Sequence, residues 1–193
     1  MSKKIHQDLP VMENPSHAKT YAELSKNRSI FLKENVTKDS AAIICALLYH
    51  YAAQDPDENI NLYIHSNGGD VDGFFQIYDT MQLIPCPVST ICMGKAYSAG
   101  AFLLCAGTGT RSAFKHSDIM IHGIQCTFPN APEEKYSMDY LSFLNKKNID
   151  IMQIVSDKTG IVLEDVINDC SRDLFLTAEE ALEYGIIDEI IQH

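Results

Sequence analysis

Residues 94–107 read GKAYSAGAFLLCAG, and this stretch decides the fold that the sequence predicts. A run of β-forming residues, 88–93, leads into it, and an apolar run, 101–106, follows Ser98 and Gly100. Ser98 itself is flanked by small residues, which let a backbone turn tightly at little steric cost. The pattern predicts a strand-to-helix turn that exposes the Ser98 hydroxyl beside the first N–H groups of the helix.

A serine on such a turn has two interpretations. It suits a nucleophile, because the neighbouring N–H groups could stabilise the oxyanion that its attack creates. It also suits an ordinary N-cap on a buried helix, which is the more common use of serine at this place. The stretch alone leaves both interpretations open.

Length and charge limit the class of protein. The chain has 193 residues, enough for one domain with a sizeable core and an appendage. Apolar residues make up 46%, and no apolar run is as long as a membrane span, so we expect a soluble protein without a membrane partner. The net charge is −11, from 15 basic and 26 acidic residues. A nucleic-acid partner would need a basic face, so none is expected.

The six cysteines lack the paired spacing of a zinc site or a redox motif. Most lie in apolar runs, where a free cysteine behaves as a small hydrophobic residue. The first residues contain no apolar segment of the kind that directs secretion. We therefore expect a reducing compartment and a cytoplasmic protein, and no metal or cofactor is expected.

The chain after residue 20 alternates between predicted strands and helices, which indicates an α/β fold with extensive parallel pairing. Residues 1–20 are expected to form an N-terminal arm and residues 21–193 a single domain. The predicted strands are 29–32, 60–65, 88–93, 112–114, 118–121 and 186–191. The predicted helices follow Thr37, Ser98 and Thr177, and further helices are expected at 74–84, at about 132–158 and at 161–170.

Two strand ends carry candidate functional groups. The second strand runs into SNGGD, residues 66–70, whose adjacent glycines could expose consecutive N–H groups to an anion or could form a plain turn. His122 directly follows the strand at 118–121, where it could be a catalytic base or an ordinary polar cap. With Asp173 as the strongest later acid, the chain order is Ser, His, Asp. This order disfavours an α/β-hydrolase, which has Ser, Asp, His.

Several motifs in order resemble one known family, the ClpP proteolytic subunits of the ATP-dependent Clp protease. The resemblance covers roughly residues 21–191 and is densest in 63–71, 77–82, 88–104, 119–122, 159–160 and 172–185. It implies a ClpP/crotonase-like α/β fold with a protruding handle at about 123–158. It also implies a homo-oligomer of stacked heptameric rings (a tetradecamer) that a Clp-type ATP-dependent unfoldase supplies with unfolded polypeptide.

The resemblance also assigns roles to residues of this sequence. Ser98 matches the family's nucleophile, His122 its general base and Asp173 the acid that orients the base. The oxyanion hole would be formed by the backbone N–H groups of Gly69 and Ala99. Candidate residues for docking the unfoldase are Tyr63, Ile91 and Met93, and residues at the interface between rings are Ser171 and Arg172.

The sequence also departs from the family pattern. Asn61, Asn67 and Ala99 stand where the family usually has tyrosine, proline and methionine, and Ser171 replaces an acidic residue that pairs with the arginine matching Arg172. The segment after His122 lacks the usual Gln-Pro and glycine pair along the substrate, so no cleavage preference carries over.

Three functions are therefore weighed. The leading one is a serine-type endopeptidase subunit acting on unfolded polypeptides. The alternative is an accessory or regulatory ring subunit with little activity alone, assembling with an active ClpP paralogue. A crotonase-fold acyl-CoA enzyme would share the fold, but it has no need of a Ser, His, Asp triad.

Overall fold

A computed structural model describes residues 24, 26–125 and 136–192 of the chain. Its strands form one mixed sheet with a five-strand path in the order β1-β2-β3-β4-β7, while β5 pairs with β3 and β6 pairs with β5. The strands of the described residues are Ser29–Leu32 (β1), Ile60–Ser66 (β2), Val88–Tyr97 (β3), Arg111–Phe114 (β4), Asp118–Ile121 (β5), Leu174–Thr177 (β6) and Glu189–Ile191 (β7).

Helices connect these strands in the way that parallel pairing requires. All pairs along the five-strand path are parallel, as is the pair β3–β5, whereas β5–β6 is antiparallel. The predicted α/β class is confirmed. The helices of the described residues are Lys38–Gln54 (α1), Val71–Leu83 (α2), Ala99–Cys105 (α3), Tyr136–Thr159 (α4), Leu163–Asp169 (α5) and Ala178–Tyr184 (α6).

On the side away from β2, strand β3 divides its pairing between two neighbours. Its residues 90–92 pair with β4, and its residues 95–97 pair with β5. Between these two parts Gly94 has a φ of +94°, a conformation that glycine adopts without the steric cost of a side chain. The far end of β3 keeps β2 as its neighbour on one side, where Ala96 pairs with Ser66, and exchanges β4 for β5 on the other before it leads the chain to Ser98.

Helix α3 is buried on every side, which explains the apolar run after Ser98. A helix that is hydrophobic all round belongs in a core rather than at a surface. All seven of its residues are buried, and an α3 residue, Phe102, contacts Phe74 of α2 edge to face. The largest fully buried side chains of the surrounding core are Phe74, Ile30, Leu32, Leu48, Ile60, Leu62, Ile64, Ile77, Met81, Leu103, Leu104 and Ile119.

The structure confirms several predicted helix ends and corrects one. Thr37 and Thr177 each begin a helix with a capping box, and Gly185 ends α6 with a left-handed φ of +87°. Helix α2 begins at Val71 rather than at 74, because the Asp70 side chain caps it by accepting the Gly73 N–H at 2.7 Å.

Two strand predictions need correction. Strand β6, which has four residues and pairs antiparallel with β5, was not predicted. Strand β7 begins at Glu189 rather than at 186, because the N–H groups of Ile186 and Ile187 bond to the Ala181 carbonyl and close helix α6. Both residues are instead buried in the core.

Other predictions fall partly beyond the described residues. The arm at 1–20 and the beginning of the long helix at 132–135 lie outside them, whereas α4 covers the rest of that helix. Of the cysteines, Cys126 lies outside as well, and the remaining five are buried free thiols as predicted. Among the described helices, none is both long enough and apolar enough to cross a membrane.

Helix α4 packs on the body through its second half and, in its first half, through Leu144. Ile151, Met152 and Val155 are buried, whereas its first turns expose Met138, Leu141 and Phe143. Between the two halves Lys147 forms an ion pair with Asp72 of α2, and its ammonium lies 5.2 Å from the rings of both Phe75 and Phe143. A cation over aromatic faces is attracted to both rings. Lys147 therefore fastens α4 to α2 where the helix leaves the body.

Arg28 fixes the beginning of the sheet. Its guanidinium donates to the backbone carbonyls of Tyr51, Asp55 and Glu58 at 2.7–3.0 Å, and its Nε donates to the Asn59 carbonyl at 3.2 Å. Only 5% of the residue is exposed. One buried side chain thus satisfies the carboxyl end of α1 and the loop that leads into β2.

We predict that Arg28→Ala lowers the free energy of unfolding by about 3 kcal/mol, because buried carbonyls lose charged hydrogen bonds. Arg28→Lys should recover only part of this loss, since an ammonium cannot match a planar guanidinium with several donors. Urea denaturation at one protein concentration measures the change. Lys115→Ala, which removes an exposed cation, is the control and should stay within about 0.5 kcal/mol of the parent chain. An Arg28→Ala protein as stable as this control would contradict the assignment.

Candidate active site

Ser98 lies at the end of β3 in a backbone conformation that is rare for a residue with a side chain. Its φ and ψ are 51° and −124°, and among the described residues other than glycine only Arg28 also has a positive φ. Such a conformation costs on the order of 1–3 kcal/mol and persists only where the surrounding structure holds it. Here the Ser98 N–H donates to the Met120 carbonyl of β5 at 2.7 Å, and its carbonyl accepts the Phe102 N–H of α3 at 3.0 Å.

The Ser98 hydroxyl does not cap helix α3. Ser98 occupies the N-cap position, yet its side chain forms no capping hydrogen bond. Serine at this position normally accepts an N–H of the first turn, so its strained backbone serves something other than a cap. This removes the ordinary N-cap interpretation that the sequence left open.

The glycine pair packs directly against the Ser98 turn. Gly68 has a φ of +93°, and a Cβ atom added to it would lie 2.6 Å from the Ser98 Cβ and 2.9 Å from the Ala99 nitrogen. The Gly68 N–H donates to the Ser66 hydroxyl at 3.1 Å, so it is not free for an anion. Only a residue without a side chain allows this close approach.

Gly69 lies opposite Val36, and the residues before and after Gly69 are hydrogen-bonded to Val36. The two bonds that join these segments run from the Val36 N–H to the Gly68 carbonyl and from the Asp70 N–H to the Val36 carbonyl, at 2.7 and 2.8 Å. The Gly69 N–H takes part in neither of these two bonds, so it remains a candidate donor for the predicted oxyanion hole.

His122 and Asp173 are brought together by the strand that the sequence analysis missed. Strands β5 and β6 pair antiparallel with Ile121 opposite Leu174, so the next residues along this register are His122 and Asp173. The His122 Nδ1 lies 3.5 Å from the Asp173 Oδ1, and the two side chains are 12% and 46% exposed. The β6 signal is weak, because the strand has only four residues and its last one, Thr177, already caps the next helix.

The three predicted catalytic residues therefore border one set of adjacent strands. Ser98 follows β3, His122 follows β5 and Asp173 precedes β6. Because β3 pairs with β5 and β5 with β6, the residues emerge at the same edge of the sheet. Chemical groups at such strand ends can act together as nucleophile, base and orienting acid.

The buried His122 Nδ1 has no hydrogen-bond partner among the described residues, despite the nearby carboxylate. At 3.5 Å the two atoms are still attracted by charge when the imidazole is protonated, but the geometry falls short of a hydrogen bond. The two side chains are therefore neighbours that are not hydrogen-bonded to each other.

The backbone after His122 is anchored by residues that the sequence analysis did not single out. The Gly123 N–H donates to the Cys170 carbonyl at 2.7 Å, and the Ile124 N–H donates to the Asn148 Oδ1 at 2.8 Å. Asn148 lies on α4, so one amide side chain links this helix to the segment that follows His122. No sequence motif marks such an asparagine, because its role depends on contact across the fold.

A cleft of about 520 Å³ opens beside His122 between α4 and the end of α5. Ser171 and Arg172, the predicted residues of the interface between rings, line it and are exposed. Cys170 also lines it, but burial, with a smaller effect of the Asp169 charge, raises the pKa of its thiol to about 12. A neutral, buried thiol is a poor nucleophile, so Cys170 is not expected to react near neutral pH.

The docking candidates lie on neighbouring strands away from this edge. Tyr63 of β2 pairs in register with Ile91 of β3 and stacks on Phe31 of β1, with ring centroids 4.9 Å apart. Met93 is 40% exposed, whereas Ile91 is only 6% exposed and offers little surface. The stacked Phe31 was missed by the sequence analysis, although its place in β1 follows the same alternation.

Comparison with known proteins identifies similar chains over almost the whole sequence. The profile of the family described as Clp protease matches residues 12–193. The chain is 44% identical over 173 residues to the ATP-dependent Clp protease proteolytic subunit 2 of Parasynechococcus marenigrum (strain WH8102). It is also 44% identical over 176 residues to the subunit of the same name from Synechococcus sp. (strain CC9605). Each match covers 89% of this chain and 86% of the relative.

We predict that Gly68→Ala slows the labelling of Ser98 by a serine-directed phosphonate at least tenfold, because the new Cβ displaces the Ser98 turn. Gly160→Ala is the matched control: Gly160 also has a positive φ, +77°, but an added Cβ there meets nothing within 4 Å. Both variants should lose stability, the control by about 1 kcal/mol. Mass spectrometry measures the labelling rate. Equal labelling rates in the two variants would show that the contact between residue 68 and Ser98 does not control the labelling of Ser98.

Proposed function

The chain belongs to the Clp protease family, and from this premise we propose that it is a serine-type endopeptidase subunit that hydrolyses unfolded polypeptides. The observation that carries the proposal is the convergence of Ser98, His122 and Asp173 on the joined ends of β3, β5 and β6. A protein that belongs to a family need not retain the family's catalytic activity, so the proposal relies on the positions of these three side chains.

In the proposed mechanism His122 Nε2 takes the proton of the Ser98 hydroxyl while Oγ attacks the carbonyl carbon of the peptide bond. Asp173 orients the imidazole through Nδ1 and stabilises the imidazolium that forms. His122 then gives the proton to the leaving amine, and an acyl group remains on Ser98. Water, activated by the same imidazole, releases the acid and restores the serine.

The N–H groups of Gly69 and Ala99 are the proposed oxyanion hole. Ala99 is the first residue of α3, so its N–H belongs to the end of the helix where such groups lack intrahelical acceptors. A Cβ atom added to Gly68 would lie 2.9 Å from the Ala99 nitrogen, and this close approach supports a second donor on the adjacent Gly69. Donors fixed before the reaction stabilise the developing charge without reorganisation.

We further propose that the subunit works in the cytoplasm as stacked heptameric rings, with residues 21–193 as one domain and residues 1–20 as an arm. The exposed Met138, Leu141 and Phe143 on α4 support an assembly surface, since such a cluster is usually covered by a partner. An ATP-dependent unfoldase of the Clp type would supply the substrate. The surface around Tyr63 and Met93 is the proposed place for its docking.

An accessory ring subunit is the second candidate, and one observation favours it. The His122 Nδ1 lacks the bond to Asp173 that an orienting acid provides, so the single chain is not in a fully bonded arrangement. Assembly with an active paralogue could complete the site or use this chain only as a ring component. Phosphonate labelling of Ser98 with and without the paralogue distinguishes these two roles.

We predict that Ser98→Ala and His122→Ala each lower kcat for a short fluorogenic peptide by about a thousandfold or more, because a triad acts as a unit. His116→Ala, which removes an exposed histidine on the turn before β5, is the control and should retain the parental rate. Sedimentation velocity on the same samples verifies that assembly is unchanged. Parental activity in Ser98→Ala would exclude this serine as the nucleophile.

Ser171 offers a test of the link between assembly and activity. In the structure Arg172 forms no ion pair with any other described residue, and the Asp169 carboxylate accepts the Tyr184 hydroxyl at 2.9 Å. The family's acidic residue would supply the missing charge. Serine can accept a hydrogen bond, but bonds between charged groups are about twice as strong as neutral ones.

We predict that Ser171→Asp raises both the fraction of double rings and the rate of peptide hydrolysis. The increase should be largest at low ionic strength, because salt screens exposed charges. Asn168→Asp adds the same charge at a nearby exposed position of α5 and is the matched control. Sedimentation velocity and peptide hydrolysis on the same preparations measure both quantities. No change in either would exclude Ser171 as the weak point of the assembly.

A further inference from the structure

The Asp173 carboxylate is approached by two side chains at one oxygen atom. Its Oδ1 lies 3.5 Å from the His122 Nδ1 and accepts a hydrogen bond from the Gln125 Nε2 at 3.2 Å. The hydrogen bond from the Gln125 amide is formed, whereas the buried His122 Nδ1 has no hydrogen-bond partner among the described residues. The exposed Gln125 therefore holds the oxygen that an orienting acid would present to the base.

Hydrogen bonds fix the backbone around this oxygen, so only side chains can change which donor the oxygen accepts. Gly123 and Ile124 are anchored by the Cys170 carbonyl and the Asn148 amide, and the β5–β6 register sets the position of the Asp173 backbone. Neither His122 nor Asp173 can approach the other by a shift of the chain without breaking one of these bonds. A small rotation of the carboxylate, away from the amide and towards the imidazole, is the remaining movement.

We propose that Gln125 is a positioning residue that sets the alignment of His122 by competing with it for the Asp173 Oδ1. This inference rests on the proposed function, in which His122 is the base. When the amide holds the carboxylate, the imidazole lacks its orienting partner. When the amide releases it, the Nδ1–H bonds to Asp173 and the ring presents Nε2 to the serine.

None of the described residues that line the cleft is a carboxylate. Helix α4 contributes Leu141, Leu144, Asn145 and Asn148 to the cleft, all of them uncharged. The end of α5 contributes the neutral Cys170 thiol, and the loop that follows contributes the exposed Arg172, a cation that cannot accept a hydrogen bond. Among the described residues that line or border the cleft, Asp173 is thus the carboxylate for which the two donors compete.

The deciding experiment is proton NMR of the Nδ1–H of His122 in the full-length chain labelled with ¹⁵N-histidine, assigned with His122→Ala. Gln125→Met keeps the length of the side chain and removes the donor, so the Nδ1–H resonance should move downfield as it bonds to Asp173. Gln125→Glu, whose ionised carboxylate cannot donate, should move it in the same direction. An unchanged resonance, or an upfield shift, in both variants overturns the proposal.

Gln153→Met is the matched control. Gln153 on α4 also donates its amide to an exposed aspartate, Asp157, at 2.7 Å, but it does not line the cleft. Its loss should leave the His122 resonance where it is in the parent chain. A shift as large as that of Gln125→Met would overturn the proposal, because it would mean that any lost amide contact has the same effect.

Peptide hydrolysis supplies a second readout. Gln125→Met should raise kcat about threefold to fivefold, the effect of exchanging one hydrogen bond, and should leave KM within twofold. A lower kcat would overturn the proposal, since it would mean that Gln125 supports the aligned state. The NMR measurement needs no activity, so it decides the role of Gln125 even if the chain hydrolyses no peptide and the proposed function fails.

Discussion

Strand β3 belongs to two pairings, and the arrangement of the candidate site depends on this division. Its first part completes the main path of the sheet, and its last part pairs with β5. The change of neighbour from β4 to β5 sets Ser98 beside the strand that ends at His122. The strained φ of Ser98 is then held from both sides, by the Met120 carbonyl of β5 and by the buried helix α3.

The sequence sufficed to predict those parts of the fold whose signals are local. Apolar runs, the Thr177 capping box and Gly185 identified elements that the structure confirms, and the residues around Ser98 predicted the turn. Strand β6 escaped prediction because four residues carry little periodicity and its pairing with β5 is a contact across the fold. The same reason hid Asn148 and Gln125, whose partners lie 24 and 48 residues away in the chain.

The site combines rigid backbone with one adjustable side chain. The glycine pair, the Ser98 turn and the segment after His122 are each fixed by short backbone contacts. The Asp173 side chain is 46% exposed, accepts a hydrogen bond from the Gln125 amide and lies 3.5 Å from His122 Nδ1. A carboxylate in this position changes its partner at a far lower cost than a buried strand changes its register, because only side-chain torsions have to move.

Helix α4 also has a mechanical consequence. The second half of the helix is buried in the core, and Leu144 is the last buried residue before the exposed turns. About eight residues before Leu144 form an extension of about 12 Å, so a tilt of about 10° at this pivot would carry its tip about 2 Å. Asn148 lies one helical turn from the pivot and accepts the Ile124 N–H. A force on the tip of this extension would therefore move the segment beside His122 much less than the tip, because displacement falls in proportion to the distance from the pivot.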